Sequence, residues 1–471
     1  MTRLCDWAKR LYASRGIRPA CQRIKKPEVK ISRRKAISSA AAAGAVVGVG
    51  IVAGLGGYLA GTSAGGGVQT VTQKGTVTVG GQTVTVGGQT VTVTNIQTQT
   101  VTASQLPREI KIGVVLPLSG ELGPIGIKML NGAKLAETLS NQWGGIAGSK
   151  ITIVAEDSLA LPDKALETVK KLVEVDGVHV IAGPATSVEV LTVADYVIQR
   201  KVPLISMSAT AAAVSKVGGQ YIFRVVPSDA VQTKALADLI RSQGIRRLAT
   251  FVVSNDYGIG IEEGIKANLG DIVVLSIRYD PAKGDYREEL GRIRDTNVEA
   301  ILWATWVESG IVAMKQASDL GLTNIRSFGA EGMRDVAFFA DAKAAEYLLQ
   351  TKMMGTSPSA PSETLSSKRF VDDYKREFGE EPGLFGDTTY DATMVAALAV
   401  ARAGLYDGSK IASQIKPAAY HYVGPSGHKL MDQYGDAVLA TYDIWRVAKP
   451  AAEYVIESIG SWDSTVGLKL G

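Results

Sequence analysis

From residue 108 onward, short β-branched runs alternate with stretches in which apolar residues recur every three or four positions. The runs 110–116, 151–156, 178–183, 203–206, 221–226, 248–253, 272–279, 300–305 and 327–331 predict strands. Between them, 126–142, 163–175, 188–200, 230–242 and 285–294 predict helices, several of which open just after Pro or on Asp or Ser, as helix starts do. This βα rhythm implies parallel sheets flanked by helices, with ligands gathered outside the carboxyl ends of the strands. The alternating part exceeds what a single core comfortably supports, so two lobes are expected.

Before residue 108 the pattern changes twice. Residues 40–61 are Ala, Gly, Val, Ile and Leu with one Tyr, and no charged residue occurs from Ala36 to Gln73. As a helix this run would reach roughly 33 Å, enough to cross a bilayer. Residues 63–107 are a stalk of low complexity, rich in Gly, Gln, Thr and Val, in which the heptapeptide 80–86 recurs at 87–93. Alternating Thr and Val favours extended backbone, and each Gly pair interrupts it. The stalk carries no core of its own and reads as a spacer.

Charge orients this assembly. Residues 1–35 hold twelve Lys or Arg against Asp6 and Glu28, a net of +10. By the positive-inside rule this head stays cytoplasmic and everything after Thr62 is exported. Arg33-Arg34 ahead of a weakly hydrophobic run resembles a twin-arginine export signal, with Ala36 at its usual Phe position; an ordinary signal anchor is the other reading. Retention is expected over cleavage, and a thioether lipid anchor is excluded because Thr62 stands where a lipoprotein signal would place its lipid-bearing Cys. The expected organisation is a basic head (1–35), a transmembrane anchor (36–62), the stalk (63–107), a first lobe (108–227 with 355–440) and a second lobe (228–354 with 441–471).

Composition excludes several chemistries. The overall net charge of +5 belongs to the head: residues 108–471 carry 38 basic against 44 acidic residues, and no basic face with interleaved aromatics suggests nucleic acid. Cys5 and Cys21 both lie in the head, so the exported part has no thiol for a disulfide, a thiolate metal site or a nucleophile. With only His179, His421 and His428 in the chain, zinc and a serine-hydrolase triad are both poorly served, and no cofactor is expected. Gly258, Gly260 and Gly264 miss the spacing of a dinucleotide loop. Binding is expected rather than catalysis.

Two adjacent predicted strands end in hydroxyl residues. One runs into Gly183-Pro184-Ala185-Thr186-Ser187 at the start of a helix, where free N–H groups suit an anion. The other runs into Ser206-Met207-Ser208-Ala209-Thr210. Helix capping alone would explain one Ser, not both clusters.

These segments, together with Phe223-Arg224-x-x-Pro227-Ser228-Asp229, Asp256-Tyr257-Gly258, Phe328-Gly329-Ala330-Glu331-Gly332 and the late Gly424-Pro425-Ser426-Gly427 and Gly435-Asp436, resemble the branched-chain amino-acid-binding proteins of ABC importers. The resemblance runs from about residue 110 to the C-terminus. It implies a type I periplasmic-binding fold, two α/β lobes joined by three crossovers and closing on a solute. It assigns the ligand carboxylate to Ser187, Ser208, Ala209 and Thr210, the ammonium to Glu331, and the remaining walls to Tyr257, Trp306 and Phe385. Where the family often has a Tyr-Gly step, this chain has Ile125-Gly126, which leaves ligand shape open. Trp303 and Trp306 can each be pocket wall or core packing. The implied role is an extracytoplasmic, membrane-tethered solute-binding protein delivering a small molecule to an ABC permease. A surface sensor signalling to a separate protein is the alternative, and a surface adhesin a third reading. Leucine, isoleucine, valine, other zwitterions, and amides or carboxylates without an ammonium all remain admissible ligands.

Overall fold

The computed structural model describes residues 106–358, 364–438 and 441–471, together with the backbone of four short strands between residues 77 and 97. The basic head, the candidate anchor and most of the stalk lie outside the described residues, so the expectations placed on them are not addressed by the fold. Among the described residues no helix is long and apolar enough to cross a membrane.

Within the stalk, β2 (Gln82–Val86) pairs antiparallel with β3 (Gln89–Val93), Gln82 opposite Val93, and β1 (Val77–Thr78) pairs with β4 (Ile96–Gln97). The Gln-Thr-Val-Thr-Val segments of the two heptapeptide copies thus pair with each other.

The first lobe is built on a five-stranded, all-parallel sheet in the order β6-β5-β7-β8-β9: Lys150–Asp157, Glu109–Leu116, Ile181–Ala182, Leu204–Ser206 and Ile222–Arg224. The interior strand β5 shows why both faces must be covered. Ile110, Ile112, Val114 and Leu116 pack with Met129, Ala133 and the helix Gly386–Ala403 on one side. Val115 packs with Val169, Leu172 and Val190 on the other. A strand buried on both faces reads as an apolar run rather than an alternation, as 112–116 does once past Lys111. Close approach is enforced by glycine where the helices Gly123–Gln142 and Gly386–Ala403 cross: a Cβ on Gly132 would stand 2.2 Å from the carbonyl oxygen of Gly386.

The second lobe carries an eight-stranded sheet. β11 (Val273–Tyr279), β10 (Leu248–Val253), β12 (Ala300–Ala304), β13 (Arg326–Gly329) and β14 (Met354–Pro358) run parallel, and β17 (Thr441–Ala448), β18 (Val455–Asp463) and β19 (Gly467–Leu470) add an antiparallel edge. Phe251, Trp303, Phe328 and Trp445 lie in one core beneath helices of this lobe. The chain passes between the sheets three times, after β9, after β14 and into β17. The sequence-based boundary at 354/355 falls inside β14, which pairs with β13 and β17, so the second lobe extends to Pro358. Strand periodicity is poor in Met-Gly-Thr-Ser-Pro, and for that reason β14 goes unread in the sequence.

Candidate functional site: a cleft between the lobes

The carboxyl ends of both parallel sheets face one cleft. On the first lobe, β7 turns at Gly183, whose φ of 121° and approach to Val115 leave no room for a side chain, since a Cβ there would meet the Val115 carbonyl at 2.5 Å. The turn delivers the chain into the helix Ser187–Arg200. Thr186 caps this helix and forms a reciprocal box with Glu189, whose carboxylate accepts from the Thr186 N–H at 2.8 Å. Ser187 is therefore free of capping duty. Its hydroxyl oxygen accepts from the N–H of Ala211 at 3.1 Å, which leaves its proton available. The first turn also leaves the N–H groups of Ser187 and Val188 without intrahelical partners, and both residues line the cavity.

The loop after β8 is held from behind. Ser206 donates to the Pro184 carbonyl at 2.7 Å, Ser208 donates to the Ala185 carbonyl at 2.8 Å, and the Ala209 N–H donates to the Ser206 hydroxyl. Arg224, fully buried, donates to the carbonyls of Ala209 and Ala211 at 3.0 Å and pairs with Asp436 at 2.6 Å. The Phe223-Arg224 and Gly435-Asp436 motifs, far apart in sequence, are thus two halves of one buried ion pair that fixes the hydroxyl loop. Ser187 and Ser208 face the cavity; Ala209 is completely buried behind it with its N–H engaged, and Thr210 reaches the site through Glu331, its hydroxyl 3.4 Å from that carboxylate.

On the second lobe, Asn255 caps the helix Asp256–Leu269, accepting from the Gly258 N–H at 3.1 Å, and Tyr257 in its first turn stacks on Trp306 with ring centroids 5.1 Å apart and 17° between planes. Trp306 lines the cavity, whereas Trp303 is fully buried and donates to the Ser327 hydroxyl at 3.1 Å, so Trp303 is core packing. Glu331 follows β13 and is only 3% exposed. Burial pushes its carboxyl above the usual range, opposed by hydrogen bonds that include its own backbone N–H and Thr210. Its second oxygen has no partner among the described residues, and neither has the Tyr257 hydroxyl. Burial first, then the charges of Glu331 and Asp229, hold the Tyr257 hydroxyl well above its ordinary value.

Phe385 closes the wall from the second segment of the first lobe. It sits in the left-handed region at φ 64°, a strained position for an aromatic residue, and its carbonyl accepts from Thr389 while its ring lines the cavity beside Leu384. The cavity enclosed by these residues is about 60 Å³, room for a handful of waters and hence for a small solute. Its apolar wall comes from Leu122, Ile125 and Met129, which the sequence reading did not select. Ile125 was noted only as a departure from a Tyr-Gly step; the signal was the apolar i, i+4 pair Ile125 and Met129 facing the strand ends.

A family described as Periplasmic binding protein matches residues 109–449. The chain belongs to this family. Periplasmic binding proteins similar to it include the Leucine-, isoleucine-, valine-, threonine-, and alanine-binding protein of Pseudomonas aeruginosa, 24% identical over 346 residues, covering 73% of this chain and 91% of that one. Among solved structures, the branched-chain amino acid transporter substrate binding protein of Streptococcus pneumoniae in complex with isoleucine superposes with a TM-score of 0.64 at 22% identity, covering 74% of this chain and 99% of that one. A solute binding protein of an ABC transporter from Rhodopseudomonas palustris BisB5, in complex with 3,4-dihydroxy benzoic acid, gives 0.66 at 24% identity, covering 77% and 99%. The two-lobed α/β periplasmic-binding fold expected from the motifs is the fold observed.

Proposed function

We propose that the chain is the extracytoplasmic binding component of an ABC importer, that it captures an α-amino acid by closure of the cleft, and that it hands this solute to a membrane permease. The observation that carries the amino-acid reading is the polarity of the cavity. The Ser187 hydroxyl and the helix-start N–H groups of Ser187 and Val188 stand on the first lobe, and the buried carboxylate of Glu331 stands on the second, with apolar side chains between. Such a site complements a zwitterion with a small apolar side chain: donors meet a carboxylate, and an anion meets an ammonium. The relative that binds leucine, isoleucine and valine by name supports this, while the neighbour holding a dihydroxybenzoic acid marks the competing class, an acid with no ammonium. The apolar run 40–61 and the basic head support a membrane tether, with the stalk as spacer.

The test is a thermal-shift screen of the protein against amino acids, their amides and aromatic acids. A ligand at a hundred times its dissociation constant adds about 2.7 kcal/mol and shifts the midpoint visibly. Stabilisation by leucine or another α-amino acid, and none by benzoates, is the expected result. Stabilisation by benzoates alone would overturn the amino-acid reading. For the tether, the full chain should stay with membranes through carbonate washing; recovery as a soluble, N-terminally trimmed species would overturn it.

A further inference from the structure

Behind Glu331 lies a second carboxylate that the cavity wall does not include. Asp229 opens the helix Asp229–Ser242 at the first crossover between the lobes; its N–H donates to the Thr210 carbonyl at 2.8 Å. Its side chain is 1% exposed, and neither carboxylate oxygen has a hydrogen-bond partner among the described residues. Around it, the Tyr257 and Tyr442 hydroxyls, the Gln232 carbonyl oxygen and one oxygen of Glu331 are buried and equally unpartnered. The groups that act on it are Glu331, which repels, Arg224, which attracts, and the Thr210 side chain, which favours its charged form. Arg224 is already committed to Asp436, to two carbonyls and to the Ser215 hydroxyl. The helix start favours an anion there, which offsets only part of the penalty for burying an unpaired charge.

Two buried carboxylates without a free cation cannot both stay ionised at low cost; one proton shared between them relieves the repulsion. We propose that Asp229 and Glu331 form one two-carboxylate receptor that holds a single exchangeable proton while the cleft lacks a cation, and that a ligand ammonium displaces this proton to solvent. The cation takes over the proton's place in the charge balance, and both carboxylates are then ionised. Asp229 thereby acts as a specificity-determining residue: a solute with a protonated amine satisfies the pair, and a solute without one leaves the proton in place. This rests on the amino-acid reading above and adds to it a stoichiometry. Burial, followed by the charge of Glu331, raises the Asp229 carboxyl well above its ordinary value, in keeping with the geometry.

The experiment is calorimetric titration of the full-length protein with L-leucine in phosphate and in Tris, buffers of different ionisation enthalpy, at several pH values from about 5 to about 8. The slope of heat against ionisation enthalpy counts the protons exchanged. Wild type should release a proton, up to one per leucine, with affinity rising toward higher pH by at most about tenfold per unit. Asp229→Asn should bind leucine with less than about a fifth of that release and a flattened pH profile, while its unliganded thermal midpoint shows that it folds; one titratable carboxyl then remains where two were coupled. The des-amino analogue 4-methylpentanoate should bind wild type, if at all, without release. Leucine binding with no proton exchanged at any pH, or undiminished release from Asp229→Asn, would overturn the shared-proton receptor and leave the amino-acid reading standing. Failure of every α-amino acid to bind wild type would remove both.

Discussion

One oxygen of Glu121, in the loop after β5, accepts hydrogen bonds from the N–H and the hydroxyl of Ser309 at 2.9 and 2.8 Å, so a carboxylate of the first lobe caps a helix of the second. The helix Val307–Asp319 needs such a group, because Trp306 at its N-cap supplies no side-chain acceptor. The Ser309 hydroxyl is held in turn by Tyr279 at 2.9 Å. Neither Glu121 nor Ser309 lines the cavity, so the contact joins the lobes without touching the solute. It clasps one lobe to the other.

If closure and binding are linked, weakening the clasp weakens every ligand alike. Glu121→Ala should raise the dissociation constant by roughly five- to thirtyfold, the equivalent of about 1–2 kcal/mol for a partly exposed charge-assisted contact. Glu121→Gln, which retains an acceptor, should lose less. Titration with leucine and with a second amino acid of different side chain checks this. A loss confined to one of them would mean that Glu121 reads the ligand directly.

Ser187 should matter to the ligand's carboxylate. Ser187→Ala removes a donor and leaves the Ala211 N–H without its acceptor, so affinity for an amino acid should fall by about 1.5–3 kcal/mol. The corresponding amide, which carries no charge there, should lose much less. Equal losses for acid and amide would show that the carboxylate binds elsewhere.

How much of this was legible in the chain differs by region, and for physical reasons. β10 runs from Leu248 to Val253 as its apolar run predicts, and the helix Ser187–Arg200 begins one residue before its predicted start, because periodicity and caps are local signals. The edge strands β17 to β19 are absent from the predicted strands although they pair as local hairpins, because Asp443, Arg446, Glu457 and Lys469 break up their apolar pattern. Within the site, Ser187, Ser208, Tyr257, Trp306, Glu331 and Phe385 all face one cavity, having been picked from motif positions at strand ends. Asp229, which enters only as part of a motif, and Glu121 are not among the predicted site residues, since a carboxylate at a helix start or in a loop looks like ordinary solvated surface until its burial and its partners across the lobes are known.

The same limit hid Asp391, a completely buried carboxylate in the helix Gly386–Ala403. Tyr422 donates to it at 2.6 Å, the Ser426 N–H at 3.0 Å, and Lys429 stands 3.5 Å away. A Cβ on Gly424 would fall 1.8 Å from its oxygen, which accounts for the glycine in that late motif. Burial raises the Asp391 carboxyl to about 6, with Lys429, Ser426 and Tyr422 opposing. A raised folded-state value means that the folded protein binds the proton more tightly. The stability it contributes is complete below about pH 3.8, the unfolded value, and is lost as pH rises through about 6. Relative to Asp391→Asn, wild type should lose on the order of 3 kcal/mol across that window. Urea unfolding of both proteins at several pH values reads the difference, and parallel pH profiles would contradict the assignment.

Glu331 carries the heaviest prediction, because it is the carboxylate that faces the cavity and the one whose partner a zwitterion would supply. Closure strips water from the ligand's ammonium, so the attraction strengthens as the lobes meet, and removing the acid leaves a buried cation facing only Asp229 behind the cavity wall. Glu331→Ala should therefore weaken an amino acid by about 3–5 kcal/mol, roughly two to four decades. Glu331→Gln should lose somewhat less, since its amide oxygen still accepts a hydrogen bond and still receives the Thr210 hydroxyl now 3.4 Å away. The des-amino analogue should respond in the opposite sense, binding the Gln variant at least as well as wild type once the repelling charge is gone. Calorimetry of the three proteins with leucine and 4-methylpentanoate measures both arms. Leucine affinities within a factor of about three across all three proteins would take the ammonium away from Glu331, because a contact that strong between buried charges cannot be deleted without a large loss.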